Sequence, residues 1–438
     1  MGHGAFLGKQ YGALAGRLGR GPVAMVEPKD PAARRAWRDI MEILFTPEDA
    51  ALAAVMPVQP VKPEKLCART GLDAAALRVR LDAMADRGLV IDLRDRRTGE
   101  VTYLLAPPVV GFFEFSMMRL HDGLPKARLA RAYEAYVDHD TAFFEELSLG
   151  TAVGRALAHE AALGDEPVSE VLAWERATAL VGDAATVAVT LCMCRHSATH
   201  LGTACDFPLE SCLSLGHGAE TLVRHGLARP VGTAEALELL HAGHEAGLVH
   251  IGDNVQQDVT YVCTCCSCCC HELRSVQVGL PMVQPSGFEP VVNDASCTGC
   301  GRCVKACPVQ AMSLAARGPA YGGDGGAPRR GLVGRVDLEV CLGCGVCVGS
   351  CRQDALAMRR KAAPPHVPVN VVEQLTRRMI ERGRLADLLV DGAAGRGPRY
   401  LQAVLAAVLS LPPAERLLAS EQARSRFVDF VLSRRRVP

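Results

Sequence analysis

The chain has 438 residues, of which 49% are hydrophobic, and its 48 basic side chains balance 48 acidic ones. This balance creates no overall field that would favour nucleic acid or an anionic membrane as partner. The length suffices for about three ordinary domains. Without a signal peptide or an apolar stretch long enough to span a bilayer, we expect a cytoplasmic protein with no membrane span. In that compartment, nineteen cysteines indicate bound metal rather than disulfides.

Residues 1–45 are interpreted as an N-terminal extension, and residues 46–108 as a small domain. Apolar residues have helical spacing in TPEDAALAAVM, KPEKLCARTG and DAAALRVRLDAMADRGLVIDL. RDRRTGEVTYLLAPP then alternates apolar and polar residues around Gly99, as a hairpin does. This order resembles the winged-helix domain, whose third helix enters the major groove in many regulators. Here Arg78 and Arg80 lie among three aspartates, so the charges favour protein docking over DNA binding.

The middle of the chain is predicted to contain a helical linker at residues 109–185 and a helical, cysteine-rich metal domain at residues 186–287. Ten cysteines fall in the second region: Cys192, Cys194, Cys205, Cys212, Cys263, Cys265, Cys266, Cys268, Cys269 and Cys270. Six of them occupy eight consecutive positions, and adjacent side chains point in different directions. They cannot all reach one metal ion. In addition to any clusters on the cysteines later in the chain, we expect at least one iron–sulfur cluster here, which joins the early and late cysteines of this region.

Other interpretations of this region stay open. A zinc site is the main competitor, and redox-active thiols are a third option. Three histidines could replace thiolates as ligands: His196, His200 and His271. Arg195 could stabilise bound thiolates or form an ordinary surface salt bridge. His241 and His244 share a helix face, but without an apparent third ligand they are interpreted as surface residues.

Residues 288–362 contain two copies of one cysteine pattern. CTGCGRCVKACP begins at Cys297, CLGCGVCVGSC begins at Cys341, and both read C-x2-C-x2-C-x3-C. A tight turn with thiolates three residues apart can hold three corners of a 4Fe-4S cube, while the fourth thiolate leaves with the following helix. Zinc also binds C-x2-C pairs, but two uninterrupted runs of this pattern favour iron–sulfur clusters.

Each copy reads as strand, cluster loop and short helix, and the repeat resembles the bacterial-type ferredoxin domain with two 4Fe-4S clusters. In that family the fourth cysteine of each run binds the other cluster. The resemblance therefore implies one cluster on Cys297, Cys300, Cys303 and Cys351, and a second on Cys341, Cys344, Cys347 and Cys307. Arg352 stands where the family has the proline that Pro308 supplies in the first copy. A Gly-rich insertion, GPAYGGDGGAPRRG, is interpreted as a surface loop.

Residues 363–438 are predicted to form a helical C-terminal segment, because VVEQLTRRMIERGRLADLLVDG and LQAVLAAVLSL are amphipathic. The final SRRR is interpreted as a solvated tail or as a docking site for a partner. The expected fold class is thus α+β, multidomain and mainly helical, with a winged-helix-like start, a helical Cys-rich middle, a ferredoxin-like domain and a helical tail.

The order of these segments resembles proteins described as 4Fe-4S-binding ferredoxin-like proteins. The likeness rests on GFFEFSMMR at Gly111, the CMCRH stretch, the CTCCSCCC block and the ferredoxin repeat. It implies electron transfer through two or more 4Fe-4S clusters to or from a partner oxidoreductase or enzyme complex, with no assigned substrate. One alternative is an iron–sulfur redox sensor that controls transcription through the winged helix. Another is an oxidoreductase centred on the Cys-rich domain, although no dinucleotide-binding fingerprint occurs.

Overall fold

The computed structural model describes residues 8–163, 172–317, 331–390 and 396–409. Its N-terminal part contains α1 (Lys9–Leu18), α2 (Pro31–Leu44), α3 (Pro47–Val55), α4 (Pro63–Thr70), α5 (Ala74–Asp86), β1 (Val90–Arg94), β2 (Val101–Leu105), α6 (Phe113–Phe115), α7 (Lys126–Asp138) and α8 (Ala142–Ser148). Three helices and an antiparallel hairpin therefore follow one another between α3 and β2, in the order that the sequence indicates. Assignment of this unit to the winged-helix fold stays a prediction.

Local signals explain where these helices begin and end. The side chain of Asp30 accepts hydrogen bonds from two backbone N–H groups at the start of α2, and Thr46 forms a capping box with Asp49 at the start of α3. Gly71 ends α4 in the left-handed conformation. The helices bury their apolar faces in one core around Trp37, which extends along the chain from α1 to α8.

The middle of the chain corrects the prediction of a helical Cys-rich domain. It contains β3 (Gly154–Leu157), α9 (Ala177–Asp183), β4 (Val187–Leu191), α10 (Met193–Leu201), β5 (Glu210–Leu215), α11 (Gly216–Arg224), β6 (Arg229–Pro230), α12 (Thr233–Glu245), β7 (Val249–Asp253), β8 (Tyr261–Cys265), α13 (His271–Gln277) and β9 (Val283–Gln284). The strands form one seven-stranded sheet in the order β6-β4-β5-β8-β7-β3-β9. Because β3 belongs to this sheet, the sheet also extends into residues 109–185, which were predicted to be helical.

The two faces of this sheet pack against different partners. Helices α9 and α12 cover one face through apolar side chains such as Val181 and Leu240. The other face contacts α13 and the apolar side chains Val309 and Leu342 of the ferredoxin-like segment. The pairing of β5 with β8 sets Cys212 opposite Cys263, so cysteines enter the interior at the centre of the sheet.

The ferredoxin-like segment contains β10 (Phe288–Val292), α14 (Arg302–Ala306), β11 (Met312–Ala316), β12 (Leu332–Val336), α15 (Val346–Gly349) and β13 (Leu356–Arg360). Each half is strand, cluster loop, helix and strand. The outer strands β10 and β13 pair antiparallel, as do the inner strands β11 and β12. The two halves are therefore interleaved into one unit. The Gly-rich insertion lies almost entirely outside the described residues.

The C-terminal segment contains α16 (Val371–Glu381), α17 (Leu385–Leu389) and α18 (Arg396–Leu409), as predicted for this part of the chain. Helix α16 joins the N-terminal part to the segment that precedes β3, because the Arg378 guanidinium donates hydrogen bonds to the backbone carbonyls of Pro22 and Thr151. The predicted tail, including SRRR, lies outside the described residues. Among the helices that the structure describes, none combines the length and the apolar character that crossing a bilayer requires.

Candidate metal centres

Two cavities in the ferredoxin-like unit are each lined by four cysteines. The first is lined by Cys297, Cys300, Cys303 and Cys351. The second is lined by Cys307, Cys341, Cys344 and Cys347. Each cavity thus receives three thiols from one cysteine run and the fourth thiol from the other run. The structure brings together the same two sets of four residues that the ferredoxin resemblance implies.

Backbone geometry allows the loops to wrap closely around these thiols. Gly299 and Gly343 have φ angles of +67° and +65°, and a Cβ atom at either position would collide with a carbonyl oxygen of a neighbouring strand. The backbone N–H of Gly343 donates to Cys341 Sγ at 3.4 Å, and that of Ala311 donates to Cys307 Sγ at 3.1 Å. Such donors stabilise sulfur that carries negative charge.

The chemistry and spacing of the thiols fit iron–sulfur clusters. Burial raises the pKa of Cys344 to about 12 and also raises the pKa of Cys347. Without metal these thiols stay protonated, so a metal must supply the attraction that displaces their protons. Within the described ranges, the compact sets of donors that could surround one ion include none of the eight ferredoxin cysteines. Thiols that are spread around a cavity suit the corners of a cube.

Six of the middle cysteines form a closed ring, which we call the thiol ring. Its members, in order of contact, are Cys192, Cys194, Cys270, Cys265, Cys263 and Cys212. Each thiol lies close enough to the thiols on either side to shift their pKa, and Cys212 closes the ring onto Cys192. The ring thus joins the early and late cysteine groups across the sheet, as the sequence predicts.

Secondary structure places these six side chains. Cys192 and Cys194 begin α10 directly after β4, and Cys270 precedes α13. Cys212 lies on β5, and Cys263 and Cys265 lie on β8. The interactions between neighbouring thiols have opposite effects on successive members of the ring. They hold the pKa of Cys192, Cys263 and Cys270 below the usual value and raise that of the three thiols between them.

Acidic and phenolic groups that no sequence motif indicates flank the thiol ring. A carboxylate oxygen of Glu272 lies within 4.8 Å of the sulfurs of Cys265 and Cys270. Burial raises the pKa of Glu272 well above its usual value and raises that of Glu114 to about 7. The Tyr261 hydroxyl is buried and has no hydrogen-bond partner among the described residues. No spacing in the sequence connects these residues, since they come from separate elements.

The remaining middle cysteines form a second group, which we call the four-thiol set. It consists of Cys205, Cys266, Cys268 and Cys269, whose sulfurs all lie within 4.8 Å of one another. The pair Cys205 and Cys266 is 3.7 Å apart, and Cys268 and Cys269 are 3.6 Å apart. Arg195, only 1% exposed, donates from Nε to Cys205 Sγ at 3.3 Å and from Nη2 to Cys266 Sγ at 3.6 Å. Of the two roles expected for Arg195, these contacts fit the stabilisation of thiolates rather than a surface salt bridge.

The histidines proposed as alternative ligands have other partners. His196 Nδ1 lies 2.7 Å from the Met117 carbonyl oxygen, and His271 lies 3.5 Å from a Glu134 carboxylate oxygen. The His200 ring contacts the ring of His196, with 5.0 Å between centroids. In the described part of the chain, no compact donor set contains a histidine.

Histidine contacts beside the second cavity were not expected from the sequence. His244 Nδ1 lies 2.8 Å from Nδ1 of the buried His159, and the His159 and His250 rings are 4.9 Å apart. The pairing of β3 with β7 brings His159 and His250 close together. Because the two residues are far apart in the sequence, no motif predicts this contact. The interpretation of His244 as a simple surface residue is therefore wrong, whereas His241 is exposed.

Comparison with known proteins identifies one segment. Residues 296–355 match the family model of the 4Fe-4S dicluster domain. The chain is an iron–sulfur protein. The match covers both cysteine runs and confirms the predicted iron–sulfur domain, and the cysteine groups of the middle segment are consistent with further metal binding. A search of curated proteins and a search of solved structures each gave no match.

Proposed function

We propose that this iron–sulfur protein relays single electrons to or from a partner oxidoreductase. When bound, a 4Fe-4S cluster takes up and releases one electron at a time. In this proposal each four-cysteine cavity holds one cluster, with the crosswise ligand sets described above. The backbone N–H groups that point at Cys307 and Cys341 stabilise the added negative charge, and Cys344 and Cys347 of the second site are buried.

One observation carries the proposal: continuous apolar packing joins the two cavities to the thiol ring. Cys303 of the first cavity packs in the same buried cluster as Cys307 and Cys347 of the second. Cys307 also belongs to the cluster that contains Cys263 and Cys265 of the thiol ring. A shared apolar core keeps the sites close together and controls the dielectric around them. The packing supports a relay through three successive centres.

The thiol ring is proposed as the third centre of this relay. Six thiols exceed the four that a tetrahedral zinc ion uses. Among the described residues, the compact donor set that includes ring cysteines consists of Cys265, Cys270 and Glu272 alone, so the ring surrounds a wider space than one ion fills. A polynuclear iron–sulfur cluster suits such an open array of thiolates.

The partner is proposed to dock beside the first cavity, because Cys300 is exposed whereas Cys344, at the equivalent position of the second run, is buried.

Residues 46–108 are proposed to be a winged-helix-like docking unit rather than a DNA-binding domain. Their hairpin is attached to α11, where Arg224 forms a 2.8 Å ion pair with Asp92. The location is proposed to be cytoplasmic, because iron–sulfur domains with many cysteines suit a reducing compartment.

Iron and acid-labile sulfide per chain, measured on anaerobically purified protein, test the proposal. Two cubes account for about eight irons, and a cluster in the thiol ring raises the total. Cys300→Ala should remove about four irons and one cluster signal in electron paramagnetic resonance after reduction. Cys67→Ala is the matched control, since Cys67 donates to the Pro63 carbonyl oxygen on α4, away from every candidate site.

The assignment of the ring has its own test. Cys263→Ala should lower the iron content per chain to about eight and leave the two ferredoxin signals unchanged. Circular dichroism checks that the variant folds. An iron content of about eight in both the wild-type chain and this variant would limit the relay to two clusters. Full iron retention in Cys300→Ala would contradict the ligand assignment itself.

A further inference from the structure

The four-thiol set shares no cysteine with the cavities or the thiol ring, although Cys194 of the ring packs in the same apolar cluster, and its four sulfurs lie within 4.8 Å of one another. We propose that it binds a single zinc ion through Cys205, Cys266, Cys268 and Cys269. This site has no role in the relay as an electron carrier, because zinc does not change oxidation state in proteins. Its assignment is independent of whether the other centres transfer electrons.

Sulfur–sulfur distances separate this site from the iron–sulfur sites. A zinc–sulfur bond of about 2.3 Å in a tetrahedron sets neighbouring sulfurs about 3.8 Å apart. The two pairs in the set are 3.7 and 3.6 Å apart, and all four sulfurs lie within 4.8 Å of one another. A disulfide needs about 2 Å, and a cube needs wider spacing because each thiolate binds a different iron. The geometry therefore fits one ion.

The charge around the set fits a closed zinc–thiolate site. Four thiolates around a divalent ion leave a net negative charge, which is costly to bury without compensation. The Arg195 guanidinium supplies a buried positive charge and donates to two of the sulfurs. Arg195 is itself held by the Pro208 carbonyl oxygen at 3.1 Å and by Ser211 Oγ at 2.7 Å. These contacts orient a donor behind the ligands, as outer partners do in metal sites.

The zinc ion would connect two loops that are remote in the sequence. Cys205 lies in the loop after α10, and the other three ligands lie in the turn between β8 and α13. That turn also bears Cys265 and Cys270 of the thiol ring, on either side of the zinc ligands. A metal bridge here ties the loop after α10 to the turn between β8 and α13, so the zinc ion has a structural role.

Zinc and iron per chain in anaerobically purified protein test the proposal. The wild-type chain should contain one zinc, with zinc-edge X-ray absorption showing four sulfurs at about 2.3 Å. Cys268→Ser should lose that zinc or show one sulfur fewer, with iron and sulfide unchanged. Cys268 is exposed, so the substitution alters the site without filling a packed core. Cys205→Ser, on the other loop, should have the same effect.

Cys67→Ser is the control and should keep both metals at wild-type levels. The proposal is overturned if the wild-type chain contains no zinc, whether the set then holds a single iron or a disulfide. A fall of about four irons in Cys268→Ser would also overturn it, because the set would then belong to a cube. Neither result changes the iron loss that is expected for Cys300→Ala, which tests the electron-transfer proposal. The two proposals can therefore fail separately.

Discussion

Gly343 shows how a single residue decides whether a cluster loop can form. Its φ angle of +65° lies in the left-handed region, and an added Cβ would meet the Phe288 carbonyl oxygen at less than any real contact distance. We expect Gly343→Ala to displace the loop and to lower the iron content by about four per chain, with the second cluster missing. Iron analysis and electron paramagnetic resonance of the reduced protein measure this loss.

A matched control lies a few residues away on α15. Gly349 has no heavy atom within 4 Å of the position of a Cβ and does not adopt a positive φ. Gly349→Ala should therefore keep full iron content and should leave thermal stability unchanged or slightly higher, because alanine favours helix. If both variants lost the same amount of iron, the loss would reflect a general intolerance of substitution in this region. It could then not be attributed to the left-handed conformation of Gly343.

At the scale of elements, a charged contact links the hairpin to α11. Asp92 on β1 accepts from Arg224 Nε at 2.9 Å, and His225 Nε2 lies 2.9 Å from the same carboxylate. Burial alone would raise the pKa of Asp92, but the hydrogen bonds from His225 and Arg224 hold it at about 2. The hydrogen bond to Asp92 in turn raises the pKa of His225, with a further contribution from Asp86.

The sign of these shifts predicts a pH dependence for the hairpin contact. The raised pKa of His225 adds stability that is complete below its unfolded value of about 6.5 and is lost as pH rises through the folded value. We expect His225→Gln to cost roughly 2 kcal/mol at pH 6 and less at pH 9. Thermal unfolding midpoints of both proteins at the two pH values measure the difference.

His217→Gln provides the control on the same helix. His217 is 58% exposed, and its contact with Glu220 at 3.6 Å is a surface pair. The substitution should change stability by less than about 0.5 kcal/mol at either pH. A His225→Gln effect that grows toward pH 9 would refute the assignment of a protonated His225 to this contact.

Elements also show which parts of the fold can be read from the sequence. The cluster loops were predictable because their ligands are local and their spacing suits one cofactor. The strands of the middle sheet were not, since β4 and β7 are short and almost fully buried, without the alternation that marks a half-exposed strand. The division into thiol ring and four-thiol set depends on the pairing of Cys212 with Cys263 and on loop positions, which spacing does not encode.

On the scale of the whole molecule, the apolar cores differ in their dependence on metal. The core around Trp37 includes residues from α1 to α8, and two neighbouring residues of α10, Met193 and Cys194, contact it. The cores around the second cavity and the thiol ring contain cysteines as packed members. Removal of metal should therefore unfold residues 186–362 and leave the N-terminal core folded.

Limited proteolysis of chelator-treated, anaerobic protein measures this difference. Mass spectrometry should find protected fragments from α1 to α8, and the buried Trp37 should keep its blue-shifted fluorescence, while sites in the middle sheet become cleavable. Untreated protein is the control. Simultaneous cleavage of both regions would show that the N-terminal core also depends on the metal centres.

The pairing of β10 with β13 has a consequence for how the chain is assembled from modules. Phe288 lies opposite Arg360, so the dicluster unit begins and ends at neighbouring points. A segment whose ends adjoin can be inserted into a host fold without separating the flanking elements. The flanking elements here are β9 and α16. A dicluster module exchanged for this unit would therefore need equally close ends, together with apolar side chains in place of Val309 and Leu342, which pack against the middle sheet.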